Sequence, residues 1–442
     1  MDLAVLGLVM MGSLFIAIMF GFPISFTLVC LGIVFGFIGM GDRVFALLTF
    51  QMFHTMKNQL MAAVTLFLLM GYILEKAGLM TRFFRGFQML FGRMRGSLYL
   101  GVILAALLFS AATGIVAAAV TIVALMAAPQ MIKSGYNHRI SAGIIAAGGT
   151  LGILFPPSVM LVVIGPTLGV SILHLFVGTV IPGLLLAFLF LTFAMVLSYL
   201  KPEIGPPLPV EEQNVNKLEA LREIFFGMIP PAVLILATLG SIITGWATPT
   251  EGAALGALGA FLVVIFAGRF TLKLLQEALY KTACTAAMIL FLISTANFFA
   301  AVFARFGSPQ LVAEFLLSLA IPPTALLLVV LGFVFLLGWP LGCWVPIVVI
   351  FVPVFAPIMA DLGISMLVFG VLIAVTLQTA WLSPPVALSA YFLNAAVPQW
   401  KLEDIMLGMM PFMVLQLVGV VILVFFPQLI YFLPDLIYGV RP

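Results

Sequence analysis

Long apolar runs recur along the whole of this chain, at 3–20, 58–74, 224–244 and 405–430 among others, and each can cross about 30 Å of hydrocarbon as a helix. In lipid every backbone N–H and C=O must be paired inside the protein, which restricts such a chain to helices packed on helices. Composition excludes a water-soluble domain: 64% of the 442 residues are hydrophobic, 7% are charged, and mean hydropathy is +1.32. The run 3–20 has no basic stretch before it, and the apolar pattern resumes straight after Gly21-Phe22-Pro23, so it reads as a membrane helix and not as a cleaved signal. Cys30, Cys284 and Cys343 lie far apart without CxxC spacing and are expected to pack in the core. A net charge of +3 implies no nucleic-acid partner.

The chain contains a duplication. Residues 110–157 lie over 338–385 at a constant offset of 228 with no gap. Gly114 falls on Gly342, Pro129 on Pro357, Gly135 on Gly363, and Pro156-Pro157 on Pro384-Pro385. Shared glycines and prolines imply shared backbone breaks, which apolar identities alone do not. Gly21-Phe22-Pro23 lies near the counterpart of Ala247-Thr248-Pro249, so the repeat extends over most of each half.

Lys and Arg give the orientation. Residues 97–130 and 323–360 are long apolar stretches interrupted near the middle, by Ser110 to Gly114 and by Gly338 to Gly342. If both dip in and return on the same side, 14 of the 18 basic residues are cytoplasmic; if both cross once, only 7 are, against the positive-inside rule. Re-entrant hairpins are therefore expected, with two very short paired spans as the alternative of equal parity. The fold class is an all-α polytopic membrane protein of about ten crossing helices and two re-entrant hairpins. Both termini are expected to be periplasmic. Five crossings per half make the second half an inverted copy of the first.

The expected organisation is scaffold helices at 1–57, then a first transport region at 58–200 with hairpin 97–130 and broken helix 141–163. A cytoplasmic linker follows at 201–223, then scaffold helices at 224–281. A second transport region occupies 282–442, with hairpin 323–360 and broken helix 364–397. Amphipathic interfacial pieces are expected from Arg82 to Arg95 and, as its partner, at 270–281.

Chemistry concentrates where helices cannot be continuous. GGTLGILFPPS (148–158) packs three glycines and two prolines into the centre of a crossing, and TLQTAWLSPP (376–385) repeats the break in the other half. The freed carbonyls must line a polar cavity or be buried in protein. In each half a hairpin tip is expected to meet an unwound centre: Thr113 with Gly152, Leu154 and Pro157, and Gly338 to Gly342 with Thr379, Leu382 and Pro385. Half-helix N-termini there attract a carboxylate, and C-terminal carbonyls hold cations. Ser110, Thr150, Ser158, Gln378 and Ser383 are the polar side chains expected to meet the substrate. Glu251 stands just after Pro249 and reads as a first-turn acid, while His54, His138 and His174 sit near loop edges without metal-ligand spacing. The membrane region thus offers no acidic or histidine relay, which favours sodium coupling over proton coupling.

The sequence resembles the large membrane subunit, DctM type, of tripartite ATP-independent periplasmic (TRAP) transporters. The resemblance is carried by LFLLMGYILEKAGL (66–79), GTLGILFPPS (149–158), ATPTEGAALGALGA (247–260) and WLSPPVALSAYFL (381–393), and it runs over nearly the full length. It implies an elevator-type secondary transporter of the bacterial inner membrane, driven by sodium ions and importing an organic acid. It also implies two partners, a small four-helix membrane subunit (DctQ type) and a periplasmic substrate-binding protein (DctP type). By analogy, Thr113, Gly152, Leu154 and Pro157 make one sodium site, and Gly338, Gly342, Thr379, Leu382 and Pro385 a second. The competing readings are a dicarboxylate/sodium symporter of a related inverted-repeat family without a binding protein, a channel, and an intramembrane enzyme. The last is disfavoured because HExxH, GxSxG and paired intramembrane acids are all missing from the sequence.

Overall fold

A computed structural model describes residues 2–114, 116–208, 217–384 and 386–439, with the side chains of Met80, residues 110–113 and Lys217 outside the description. Every regular element among the described residues is a helix. Among the described residues eight helices are long and apolar enough to cross a membrane alone, or nine if the bent pair Arg43–Lys57 and Leu60–Lys76 is one span. That count takes in hairpin limbs and passes over spans built from shorter pieces. Grouped by topology, the crossings are Leu3–Met19, Ile24–Met40, Leu60–Lys76, the broken pair His138–Thr150 and Val159–Leu168, and Ile172–Leu200. The second half adds Lys217–Ile243, Pro249–Phe266, Leu272–Arg305, the broken pair Met366–Thr379 and Leu388–Ala396, and Leu402–Phe425. These are the ten expected. The hairpins are Ser97–Thr113 with Val116–Lys133, and Pro323–Leu341 with Trp344–Asp361.

The offset of 228 holds element by element. Val116–Lys133 falls on Trp344–Asp361, His138–Thr150 on Met366–Thr379, and Leu79–Phe91 on Ser308–Ser318. The amphipathic partner expected at 270–281 is thus not the counterpart of Leu79–Phe91. It is the start of the unbroken 34-residue helix Leu272–Arg305, which also runs through the expected boundary at 281/282. In the first half the same stretch is two helices meeting at 55°. A residue-level cause is at hand. Asn58 turns its side-chain oxygen back to the Leu60 N–H at 3.0 Å, opening the helix, and its repeat counterpart is the helix-former Ala286. The expected linker 201–223 is shorter, because the helix Lys217–Ile243 begins inside it.

Other expectations are refined. Thr248 caps the helix Pro249–Phe266: its backbone N–H and hydroxyl meet Glu251 Oε2 at 2.8 and 2.9 Å, and its hydroxyl oxygen accepts from the Glu251 N–H at 3.3 Å. The TPTEG segment is thus a capping box with proline in the first turn. Cys30 and Cys284 are exposed on helix surfaces and do not pack in the core. His138 lies 3.4 Å from Asp404, which also holds Arg139 at 2.8 Å, tying the start of the first broken helix to Leu402–Phe425.

Two groups of helices pack mainly among themselves. The hairpins and broken helices assemble with Ile172–Leu200 and Leu402–Phe425; the crossings of 3–76 and 217–305 assemble with one another. The groups meet along Leu60–Lys76 and Leu272–Arg305, which touch the first hairpin and the Trp344–Phe351 segment.

Candidate transport site

In the first half, Thr150 ends the helix and a single 3-10 turn, Leu151–Ile153, follows. Helix cannot continue, because Pro156 and Pro157 offer no N–H. Their peptide bond is cis. Ser158 is extended, and its hydroxyl donates to the Ile153 carbonyl before Val159 restarts the helix. Among the described residues the carbonyls of 154–157 accept no hydrogen bond. Gly114 closes the first hairpin in the left-handed region, φ +61°, and a Cβ there would stand 2.9 Å from the Pro157 carbonyl oxygen. The hairpin tip therefore abuts the break, and a further ten residues, Val159–Leu168, carry the chain on past it. At 1.5 Å per residue that is about 15 Å, so the hairpin stops short of the far side and is re-entrant.

The second half repeats this with variation. Met366–Thr379 ends in successive turns at Ala380, Trp381 and Leu382, each N–H reaching three residues back at 3.0–3.2 Å. Helix resumes at Leu388 after Ala387, held at φ +27°. Gly342 closes the second hairpin at φ +54°, where a Cβ would lie 3.0 Å from Val386, and Gly338 packs directly on Ala380.

The two breaks touch at one point. Gln378 Nε2 donates to Thr150 Oγ1 at 3.0 Å, and Thr150 in turn donates to the Ala147 carbonyl at 2.7 Å. These residues are repeat counterparts, 228 apart. Counterparts in contact lie beside the pseudo-two-fold axis, so the axis of the inverted repeat passes between the two broken helices. Gln378 Oε1, Thr376 Oγ1 and Gln416 Oε1 are buried nearby in sequence or packing and have no hydrogen-bond partner among the described residues.

A cavity of about 330 Å³ opens where both tips and both breaks face the second group of helices. The hairpin and broken-helix wall includes Gly114, Val116, Val159, Gly342, Trp344, Trp381 and Leu388. Opposite stand Leu68, Tyr72, Thr285, Met288, Ile289 and Leu292, with the Tyr72 and Thr285 hydroxyls 2.8 Å apart. Among the described residues no charged side chain lines it. Four helices begin at its wall, at Val116, Val159, Trp344 and Leu388. Their positive dipole ends converge on the chamber, while at the Leu388 helix the Ser389 and Ala390 N–H groups are taken by the Trp381 and Ala387 carbonyls.

Of the expected sodium residues, Gly152, Leu154 and Pro157 lie in the first break, Thr379 and Leu382 in the second, and Gly338 and Gly342 at the second tip. The Thr113 side chain and Pro385 fall outside the described residues. Of the expected substrate residues, the Ser110 side chain is outside the description. Thr150, Ser158, Gln378 and Ser383 are fully buried behind the cavity wall, and none lines it. Their hydroxyls are turned to backbone: Ser383 donates to the Thr379 carbonyl at 2.7 Å, and Thr379 to that of Thr376. Among the described residues the polar side chains that do reach the cavity are Tyr72, Thr285, the Cys343 thiol and the indoles of Trp344 and Trp381. Hydropathy counts Tyr and Trp as apolar and so passes over them; Tyr72 sits within the LFLLMGYILEKAGL motif but carries no mark of its own.

The family model for the tripartite ATP-independent periplasmic transporter, DctM component, matches residues 11–429. The chain is 30% identical to the C4-dicarboxylate TRAP transporter large permease protein DctM of Pseudomonas aeruginosa, over 88% of its length and 89% of the relative's. It is likewise 30% identical to the sialic acid TRAP transporter large permease protein SiaM of Vibrio cholerae, over 97% and 99%. The YdaH transporter of Alcanivorax borkumensis shares the fold at TM-score 0.62 and 17% identity, across 88% of each chain. With a family match across nearly its whole length and a paired-hairpin site at its centre, this chain belongs to the DctM family, the large permease component of TRAP transporters.

Proposed function

We propose that this chain is the sodium-coupled conduit for an organic carboxylate, working with a small membrane subunit and a periplasmic binding protein that delivers the substrate. The observation that carries this reading is the convergence of four helix starts on a cavity that, among the described residues, has no charged side chain. A carboxylate finds N–H donors and dipole ends there, and Tyr72, Thr285 and the two indoles offer further donors. A small hard cation suits the other ends: carbonyls of 154–157 against the Gly114 tip, and those of Ala380 and Leu382 against Gly338 and Gly342. Relatives named for C4-dicarboxylate and sialic acid support a carboxylate as cargo.

A bound cation and a bound anion offset one another's charge, so the hairpin group can move them together across lipid at lower cost than either alone. Movement of the hairpin group against the 3–76 and 217–305 helices is the elevator step in this reading. The cavity lies toward the end of the scaffold carrying Lys76–Glu277 and Lys281–Glu75 ion pairs, 2.8 and 3.3 Å. Positive-inside orientation makes that end cytoplasmic, with both termini periplasmic.

The test is uptake by proteoliposomes holding this chain, its small subunit and its binding protein. An inward sodium gradient is expected to drive accumulation of the carboxylate, and collapsing the gradient to stop it. Uptake indifferent to sodium but driven by a pH step would overturn the coupling.

A further inference from the structure

The cavity walls divide by symmetry. On the hairpin and broken-helix side, Gly114 and Gly342, Val116 and Trp344, Ala117 and Val345, Ile153 and Trp381, and Met160 and Leu388 are all repeat counterparts. Ten of the thirteen described lining residues on that wall thus pair under the offset of 228, with Val159, Cys343 and Phe392 outside the pairing. The scaffold wall does not: Leu68, Tyr72, Thr285, Met288, Ile289 and Leu292 contain no such pair. An inverted repeat whose halves exchange conformations keeps the symmetric wall and exchanges the asymmetric one for its counterparts. Those counterparts are Ala296, Ala300, Lys57, Leu60, Met61 and Val64. Only one of them is charged. By sequence register Lys57, the last residue of its helix before the bend at Asn58, answers to Thr285 of the cavity seen here.

A second observation marks the same level of the scaffold. Met61 lines a cleft of about 220 Å³ with His54, Thr55, Asn58 and Asn297, facing Val163, Pro166 and Thr167 of the first broken helix. The Asn297 amide donates to Thr55 Oγ1 at 3.1 Å. One counterpart position, Met61, thus already lines a polar cleft that faces the hairpin group, together with Asn58, the residue after Lys57, at the opposite end of the scaffold from the Lys76 and Lys281 ion pairs.

We infer that Lys57 is an anion-attracting residue of the opposite, outward-open cavity, and that its exchange for the neutral Thr285 on moving inward loosens the hold on an anionic substrate. The inference rests on the transport reading above and adds a direction to it: a ligand bound more tightly outside than inside is taken up from a dilute source and let go within. Electrostatic focusing by one lysine in a low-dielectric cleft also raises the local concentration of anions.

The experiment needs no knowledge of the natural substrate. Ala296→Cys and, separately, Leu60→Cys are placed in a chain whose three native cysteines are replaced, assembled with its small subunit in vesicles of known orientation. They are then treated from outside with two membrane-impermeant thiol reagents, an anionic sulfonatoethyl and a cationic trimethylammonioethyl methanethiosulfonate. The anionic reagent is expected to label both positions. Lys57→Gln is expected to slow it about fivefold, as a single partly screened charge does, while leaving the cationic reagent as fast or faster. Lys57→Arg is expected to restore the rate, and raised salt to shrink the difference. No outside labelling at either cysteine would overturn the exchanged cavity. Labelling by the anionic reagent that ignores Lys57→Gln would overturn the role of Lys57. Neither readout requires sodium-driven uptake, so a failure of coupling is registered separately.

Discussion

Thr150 and Gln378 are 228 residues apart in sequence and 3.0 Å apart in space. Both are fully buried, so the bond has no water to replace it. Removing one partner strands the other: Thr150→Val leaves the Gln378 amide unpaired and is expected to lower stability by about 1–3 kcal/mol, read as a fall in Tm of the purified protein. Adding Gln378→Leu removes the stranded group and is expected to recover part of the loss, giving a clear interaction term in the double-mutant cycle. Additive losses would mean the contact is incidental. At this scale the sequence is only partly legible. Gly114, Gly342 and the two Pro-Pro pairs declare themselves, because only special backbone geometry needs them. Thr150, Ser158, Gln378 and Ser383 are picked out as polar residues near a break, but a polar residue in an apolar helix has two uses. Here the hydroxyls turn to carbonyls and the Gln378 amide binds Thr150, and the described polar side chains that reach the cavity are Tyr72, Thr285, the Cys343 thiol and the two indoles.

Among the elements, the hairpins and broken helices follow from the glycine and proline positions to within a few residues at most ends, since the cause of each interruption is local. The element that departs from the repeat is Leu272–Arg305, straight where its counterpart bends by 55°. Asn58 against Ala286 is a difference of one side chain, and hydropathy does not register it as a corner. The capping box at Thr248 and Glu251 is equally local and was visible only as an acid near a helix start. Thr248→Ala is expected to cost about 1 kcal/mol, measured as a lower Tm with transport retained. Abolished transport at unchanged Tm would instead give Thr248 or Glu251 a part in the transport cycle itself.

For the molecule as a whole, inversion is what ties structure to activity. One wall of the cavity is made largely of counterpart pairs, while the scaffold wall opposite contains none. The family is tripartite, so a small membrane subunit and a periplasmic binding protein complete the system. Neither the asymmetry of the scaffold face nor the axis contact can be read from periodicity, because both depend on which repeat half lies opposite which. The most direct test of the paired-interruption site is a sodium titration of the Tm of the purified chain with its small subunit. Sodium, and not potassium or choline, is expected to raise Tm in a saturable way. Gly114→Ala and Gly342→Ala, which force a Cβ into a left-handed tip lying against the Pro157 carbonyl or Val386, are expected to weaken that response at least tenfold in midpoint. An equal rise with choline, or a sodium response unchanged in both variants, would contradict a sodium site at the hairpin tips.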